Sequence, residues 1–244
     1  FLEILYQKLT SKDMTLNTNI ITLFPEMFPG GLGQSLSGRA LENGLWSYNA
    51  INPRDFAIDK HSTVDDTPYG GGAGMVLRPD ILEHALLSIP EDKRGRVIYM
   101  SPRGKVLNQK LVEDLAAEEN LTILCGRYEG VDQRFLDAYN IEEISIGDYI
   151  LSGGEPAAII MLDACIRLLP GVMGNKETAG DESFSHGLLE YPHYTKPSTW
   201  TDKNGTCHVV PEVLRSGNHA KINQWRYEQS IAITKANRPD LLKK

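Results

Sequence analysis

Three glycines, Gly147, Gly153 and Gly154, fall within eight residues of the stretch SIGDYILSGGEPAA, between a short apolar run and a long apolar helix. Glycines so closely spaced let backbone approach a partner tightly or turn through positive φ. Ile146, Ile150 and Leu151 beside them point to burial. Two further loops of unusual composition follow apolar runs in the same way, SPRGK after Met100 and GRYEGVD after Cys125. Any one of them is ordinary turn chemistry, but three at one edge of a sheet make a pocket built mainly from backbone amides and carbonyls. The G-x-G-x-x-G spacing of a dinucleotide site is absent, since FPGGLGQSLSG and YGGGAGM both fail it, and no Walker lysine motif occurs. A pocket without a phosphate anchor fits an adenosine-like group with a small charged tail. It disfavours a nucleotide-dependent dehydrogenase or hydrolase.

The elements that must carry these loops read as an α/β domain. NIITLF (19–24), RVIYMS (96–101), LTILCG (121–126) and EISIG (143–147) are continuous apolar runs of the kind found in strands buried on both faces. Between them RPDILEHALLSI and NQKLVEDLAAEE space apolar residues by three and four, with Asn108 as N-cap of the second. Alternation of this kind predicts a largely parallel sheet with ligands beyond the carboxyl ends of its strands. After Gly171 the polar, aperiodic NKETAGDESFSHG reads as a linker over 175–187, and 188–244 as a small all-helical domain. The opening FLEILYQKLTSKD differs in character from the rest, so residues 1–13 are set aside as a foreign leader and the first domain is taken as 14–174.

Composition narrows the function classes. Cys125, Cys165 and Cys207 lie about forty residues apart without histidines at ligand spacing, which suggests neither a zinc site nor a disulfide framework and fits a reducing, cytoplasmic compartment. No apolar run approaches a membrane span, and no secretory leader is visible. The net charge of −7 is unevenly spread: residues 188–244 hold nine Lys/Arg against five Asp/Glu, or +4, leaving −11 for the rest. A basic C-terminal segment fits either an excess of solvated lysines or a surface facing nucleic acid.

Taken in order, LFPEMF, NPRDFAIDKHSTVDDTPYGGGAGMV, YMSPRGK, LCGRYEGVDQR, EISIGDYILSGGEPAA, LLPGV, ESFSHGLLEYPHYTKP, VLRSGNHAKINQWR and RPDLL resemble the bacterial tRNA (guanine-N1)-methyltransferases of the TrmD type, in the SPOUT superfamily, from Ile20 to Leu242. The resemblance implies a SPOUT-type sheet with a deep C-terminal trefoil knot, one of the rare exceptions to unknotted topology. It implies transfer of a methyl group from S-adenosylmethionine to N1 of guanosine at position 37 of tRNA, by a homodimer whose active sites are shared between chains. Contacts to the donor would come from Tyr99, Ser101 and Pro102, from Gly126, Tyr128, Glu129 and Gly130, and from Ser145, Ile146, Gly147, Tyr149, Leu151, Gly153, Gly154 and Pro156. Gly154 is read equally as a packing residue. Family expectation adds Mg2+, although no ligand cluster is visible.

Methylating N1 requires removing a proton that the ring holds at neutral pH, and stabilising the anionic purine near O6. In the family an aspartate immediately before Ser-Phe acts as the base, with an arginine on the helix leaving the knot. Those roles fall here on Glu182, with Asp181 as the alternative, and on Arg167. Glutamate in place of aspartate departs from the family pattern, and on residue type alone both carboxylates are also ordinary solvated linker charges. The target nucleoside would meet Asp65, Tyr128, Glu129 and His193. Arg215, Lys221 and Arg226 would hold tRNA phosphates, contacts that position without specifying sequence.

Overall fold

The computed structural model describes residues 15–173, 183–184 and 187–243. The leader 1–13 and the two carboxylates Asp181 and Glu182 lie outside them. From the N-terminus the chain forms β1 (Leu16–Ile21), α1 (Ser35–Glu42), β2 (Trp46–Ile51), β3 (Asp65–Asp66), β4 (Val76–Leu77), α2 (Pro79–Leu87) and α3 (Glu91–Arg94). It continues through β5 (Arg96–Val106), α4 (Gln109–Ala116), β6 (Asn120–Cys125), α5 (Gln133–Ala138), β7 (Glu142–Ser145) and α6 (Glu155–Ile166). By its contacts the chain divides into two compact units, one ending at residue 174 and one beginning at 175.

In the first unit five strands form a parallel sheet in the order β2-β1-β6-β5-β7. β6 is buried along almost its whole length, as a strand covered on both faces must be. One apolar cluster joins it to α1, α4 and α6 through Ala40, Val112, Leu115, Ala158 and Leu162. A second, on the other face, joins it to α2 and α5 through Ile81, Leu82, Phe135 and Leu136. Each such fully buried Leu or Ile contributes about 1.5–3 kcal/mol. Asn108 caps α4, its Oδ1 accepting from the Leu111 amide at 3.0 Å. The edge strand β2 has no counterpart among the predicted strands. Its WSYNAI sequence is mostly half-buried, and Trp46 anchors it by donating Nε1 to the Ser37 carbonyl at 2.8 Å.

What positions the site is the way β5 ends. Met100 pairs with Ile144 of β7, and so does Lys105, so residues 101–104 loop out of the sheet and the strand then rejoins it. A Cβ on Gly104 would lie 2.3 Å from the Glu143 carbonyl carbon. The connection from β7 to α6 then travels back past the end of β5 to the end of β6, where the Gly154 amide donates to the Gly126 carbonyl at 2.9 Å.

The second unit holds β8 (Thr199–Thr201), β9 (Cys207–Val209), α7 (Glu212–Arg215) and α8 (His219–Asn237). Asn218 caps α8, and the buried Thr234 hydroxyl accepts from the Leu189 amide at 2.8 Å, tying the extended segment to the helix. The antiparallel pair β8–β9 corrects the expectation of an all-helical unit. Its strands are three residues long and exposed, too short for apolar periodicity to register, although the Asn204-Gly205 turn between them is a hairpin signal.

Candidate active site

The three loops predicted to meet do meet. Beyond the carboxyl ends of β5, β6 and β7 they enclose a cavity of about 310 Å³. Of the fifteen residues expected to touch the donor, fourteen line it; Pro156, on the first turn of α6, does not. Met100, Arg127, Ile144, Ile150, Ser152 and Ala157 line it as well and were not predicted. Tyr99 forms part of the wall, and burial pushes its phenol above the ordinary tyrosine range. Tyr128 sits at φ +58, a conformation uncommon outside glycine, and is half exposed beside the cavity. In the third loop the Ser145 hydroxyl is 3.2 Å from the Gly147 amide and 3.1 Å from its carbonyl, and Tyr149 folds back to donate to the Ile146 carbonyl at 3.3 Å.

One of these lining residues, Arg127, belongs to a buried ion pair. Glu155, the first residue of α6, is fully buried; its Oε2 is 2.9 Å from Arg127 Nε, and its Oε1 accepts from the Thr22 hydroxyl at 2.7 Å. Arg127 also donates to the Ser152 carbonyl at 3.3 Å and covers the Phe24 ring at 4.3 Å. One side chain thereby joins the second loop, the third loop and the segment after β1. Gly153 lies on this pair: a Cβ there would stand 2.4 Å from Arg127 Nε and 2.7 Å from Glu155 Oε2. At Gly154 a Cβ would meet Cys125 Cα at 2.8 Å, which accounts for that glycine by packing alone. Burial, with the Glu155 charge nearby, pushes the Cys125 thiol well up, and burial pushes Cys165 up to about 12, so neither is a ready nucleophile.

Arg167 is elsewhere. It caps the C-terminal end of α6, while the cavity meets the N-terminal end. The twelve-residue helix is about 18 Å long. The half-buried Arg167 instead lines a separate cavity of about 220 Å³ with Gln34, Ser37 and Asp163. Asp65 lies on the small β3–β4 pair opposite Leu77 and does not line the main cavity. That pair is nevertheless docked on the second loop, with the Glu129 amide donating to the Met75 carbonyl and the Leu77 amide to the Gly130 carbonyl, both at 2.9 Å.

Comparison with known proteins decides the family. The model of the family described as tRNA (Guanine-1)-methyltransferase TrmD matches residues 16–244. A Rhodospirillum rubrum protein named tRNA (guanine-N(1)-)-methyltransferase is 57% identical over 229 residues, 93% of each chain. Proteins of the same name from Mesorhizobium japonicum and from Wolbachia pipientis wMel are 58% and 55% identical, over 94% of this chain and 97% and 96% of theirs. The chain belongs to the TrmD family.

In this TrmD-family chain the other predicted residues lie on the second unit. His193 is exposed, its Nε2 2.9 Å from Glu190 Oε1 and its ring tilted against Tyr191 at 5.0 Å. The Arg226 guanidinium covers the Tyr191 ring at 4.8 Å, and its Nε is buried without a hydrogen-bond partner. Arg215 ends α7 and Lys221 lies in the first turn of α8, both exposed. Among the described residues no three His, Cys, Asp or Glu side chains converge as metal ligands, and no helix is long and apolar enough to cross a membrane. Besides the unpredicted lining residues, sequence reasoning missed the pairing of Arg127 with Glu155. Both stand inside loops it singled out, but their pairing across 28 positions is a product of the fold.

Proposed function

We propose that this chain is the enzyme that transfers the methyl group of S-adenosylmethionine to N1 of guanosine 37 in tRNA, beside the anticodon. The observation that carries the reading is the family membership together with the cavity at the three glycine-rich strand exits. The lining fits the donor's chemistry. Ile146, Leu151 and Ala157 offer apolar surface, the loops offer backbone amides and carbonyls, and the one lining arginine is already matched by Glu155, leaving no phosphate anchor. Its volume is at the small end of ligand sites. When bound, the donor supplies an activated methyl group.

The chain's own residues supply the rest. Glu182, or Asp181 beside it, takes the N1 proton, and Arg167 meets the charge that develops at O6; placing N1 in line with the methyl group lowers the barrier further. Asp65, Tyr128, Glu129 and His193 contact the target nucleoside, and Arg215, Lys221 and Arg226 hold the anticodon stem. The separation of Arg167 from the cavity favours a homodimer in which the arginine and the linker of one chain complete the cavity of its partner. Threading of α6 through the loop after β5 into a trefoil knot is consistent with Gly104 and Gly154 being pressed against backbone at the two crossings. The domains are then 14–174, the linker 175–187 and a tRNA-binding unit 188–244. Magnesium remains a family expectation, and a cytoplasmic location follows from the substrate. The test is to incubate unmodified tRNA bearing G36-G37 with the protein and labelled donor, then map the product. Methyl at N1 of guanosine 37 is expected; methyl at another position overturns the site, and none overturns the reading.

A further inference from the structure

The β8–β9 hairpin presents an aromatic pair that none of the roles above uses. Trp200 and His208 are direct cross-strand partners, with ring centroids 5.1 Å apart and planes 26° from parallel. Trp200 is 58% exposed, and every residue of both strands is exposed, so the hairpin buries no core of its own. An isolated two-stranded hairpin is marginal in water, yet this one is held from its turn. Asp202 Oδ1 accepts from the Asn204 and Thr206 amides at 2.8 and 3.0 Å, and Asp202 Oδ2 lies 3.2 Å from His208 Nε2. The His208 ring and those two amides hold the Asp202 carboxyl below the ordinary aspartate range. The device fixes the imidazole, and the imidazole fixes the indole.

We propose that Trp200 is a stacking platform for an unpaired base of the tRNA, backed by His208 and positioned by Asp202. This rests on the tRNA reading given above. Nucleic acid is the favoured occupant because the surroundings are polar and basic rather than apolar. Lys196 and Lys203 lie within three residues of β8 on either side, the strand neighbours Thr199 and Thr201 are polar, and Asp202, the one acidic residue from 196 to 210, has its carboxylate engaged within the turn. A protein partner would be expected to meet a larger apolar patch. Aromatic rings receive unstacked RNA bases in this manner, with phosphates held by nearby lysines.

The test uses the full chain with unmodified tRNA. Trp46 is buried and Trp225 half-buried against Tyr194, so Trp200 is the most exposed of the three tryptophans. Indole fluorescence should be quenched on tRNA binding, and Trp200→Ala should remove that quench. The same variant should raise the KM for tRNA about five- to 150-fold, the range for one base on an aromatic ring, with the KM for the donor unchanged. Trp200→Phe, which keeps a ring, should recover most of the affinity. If Trp200→Ala methylates with wild-type KM for tRNA, the platform is wrong while the methyltransferase reading stands. If Trp200→Ala changes the sedimentation coefficient of the RNA-free protein, the surface joins protein copies and the proposal falls. Failure of the wild type to methylate, with the quench intact, overturns the function and leaves the platform.

Discussion

Glu155 is, among the described residues, the one charged side chain fully buried. It is tolerable there because its charge is paired with the Arg127 guanidinium at 2.9 Å, a contact outside hydrogen-bond geometry, and its other oxygen accepts from the Thr22 hydroxyl. Removing one partner of a buried pair leaves the other charge uncompensated, a loss of about 3–5 kcal/mol. Glu155→Ala should therefore lower the urea midpoint sharply, and Glu155→Gln, which keeps the Thr22 hydrogen bond, should lower it less. Equal midpoints for Glu155→Ala and wild type would mean the pair holds nothing together. At this scale the sequence showed residue types but not partners. GRYEGVD and LSGGEP were singled out for their glycines, and the arginine and glutamate within them became a pair only when two loops closed over the end of β6.

Elements were the most legible level. Continuous apolar runs marked β1, β5, β6 and β7 because parallel strands buried on both faces have no polar side to alternate with, and Asn108 marked the start of α4 because an amide there needs an acceptor. Boundaries were less legible. Apolar pattern places the end of β5 near Ser101, but the strand resumes at Lys105 after its excursion, and only pairing with β7 shows this. Gly104 is where that excursion closes. A methyl group there would collide with the Glu143 and Ile144 backbone at 2.3–2.4 Å, and overpacking of this kind costs about 1–3 kcal/mol or more. Gly104→Ala should lower the unfolding midpoint, whereas Gly31→Ala, with open space around its Cβ, should leave it nearly unchanged. Equal effects would show that the crossing is loose.

For the whole molecule the position of Arg167 carries the prediction. The length of α6 separates it from the cavity of its own chain, so the shared-site reading makes a specific prediction about mixed dimers. Arg167→Ala alone should reduce turnover by about 10²–10³, the loss typical of one group that stabilises developing charge, with donor binding retained. Leu151→Trp should block the cavity. Co-expressed, the two should yield dimers in which one site carries both defects and the other neither, so activity returns; no recovery would place Arg167 in the same site as its own cavity. By itself the sequence determined the α/β class, the three loops and the family, because apolar periodicity, glycine clustering and motif order are written along the chain. The tertiary structure alone decided that twenty residues from three separate segments line one cavity, that Arg127 in its wall neutralises the buried Glu155, and that Arg167 faces another, because such juxtapositions depend on strand order and on how far a helix reaches.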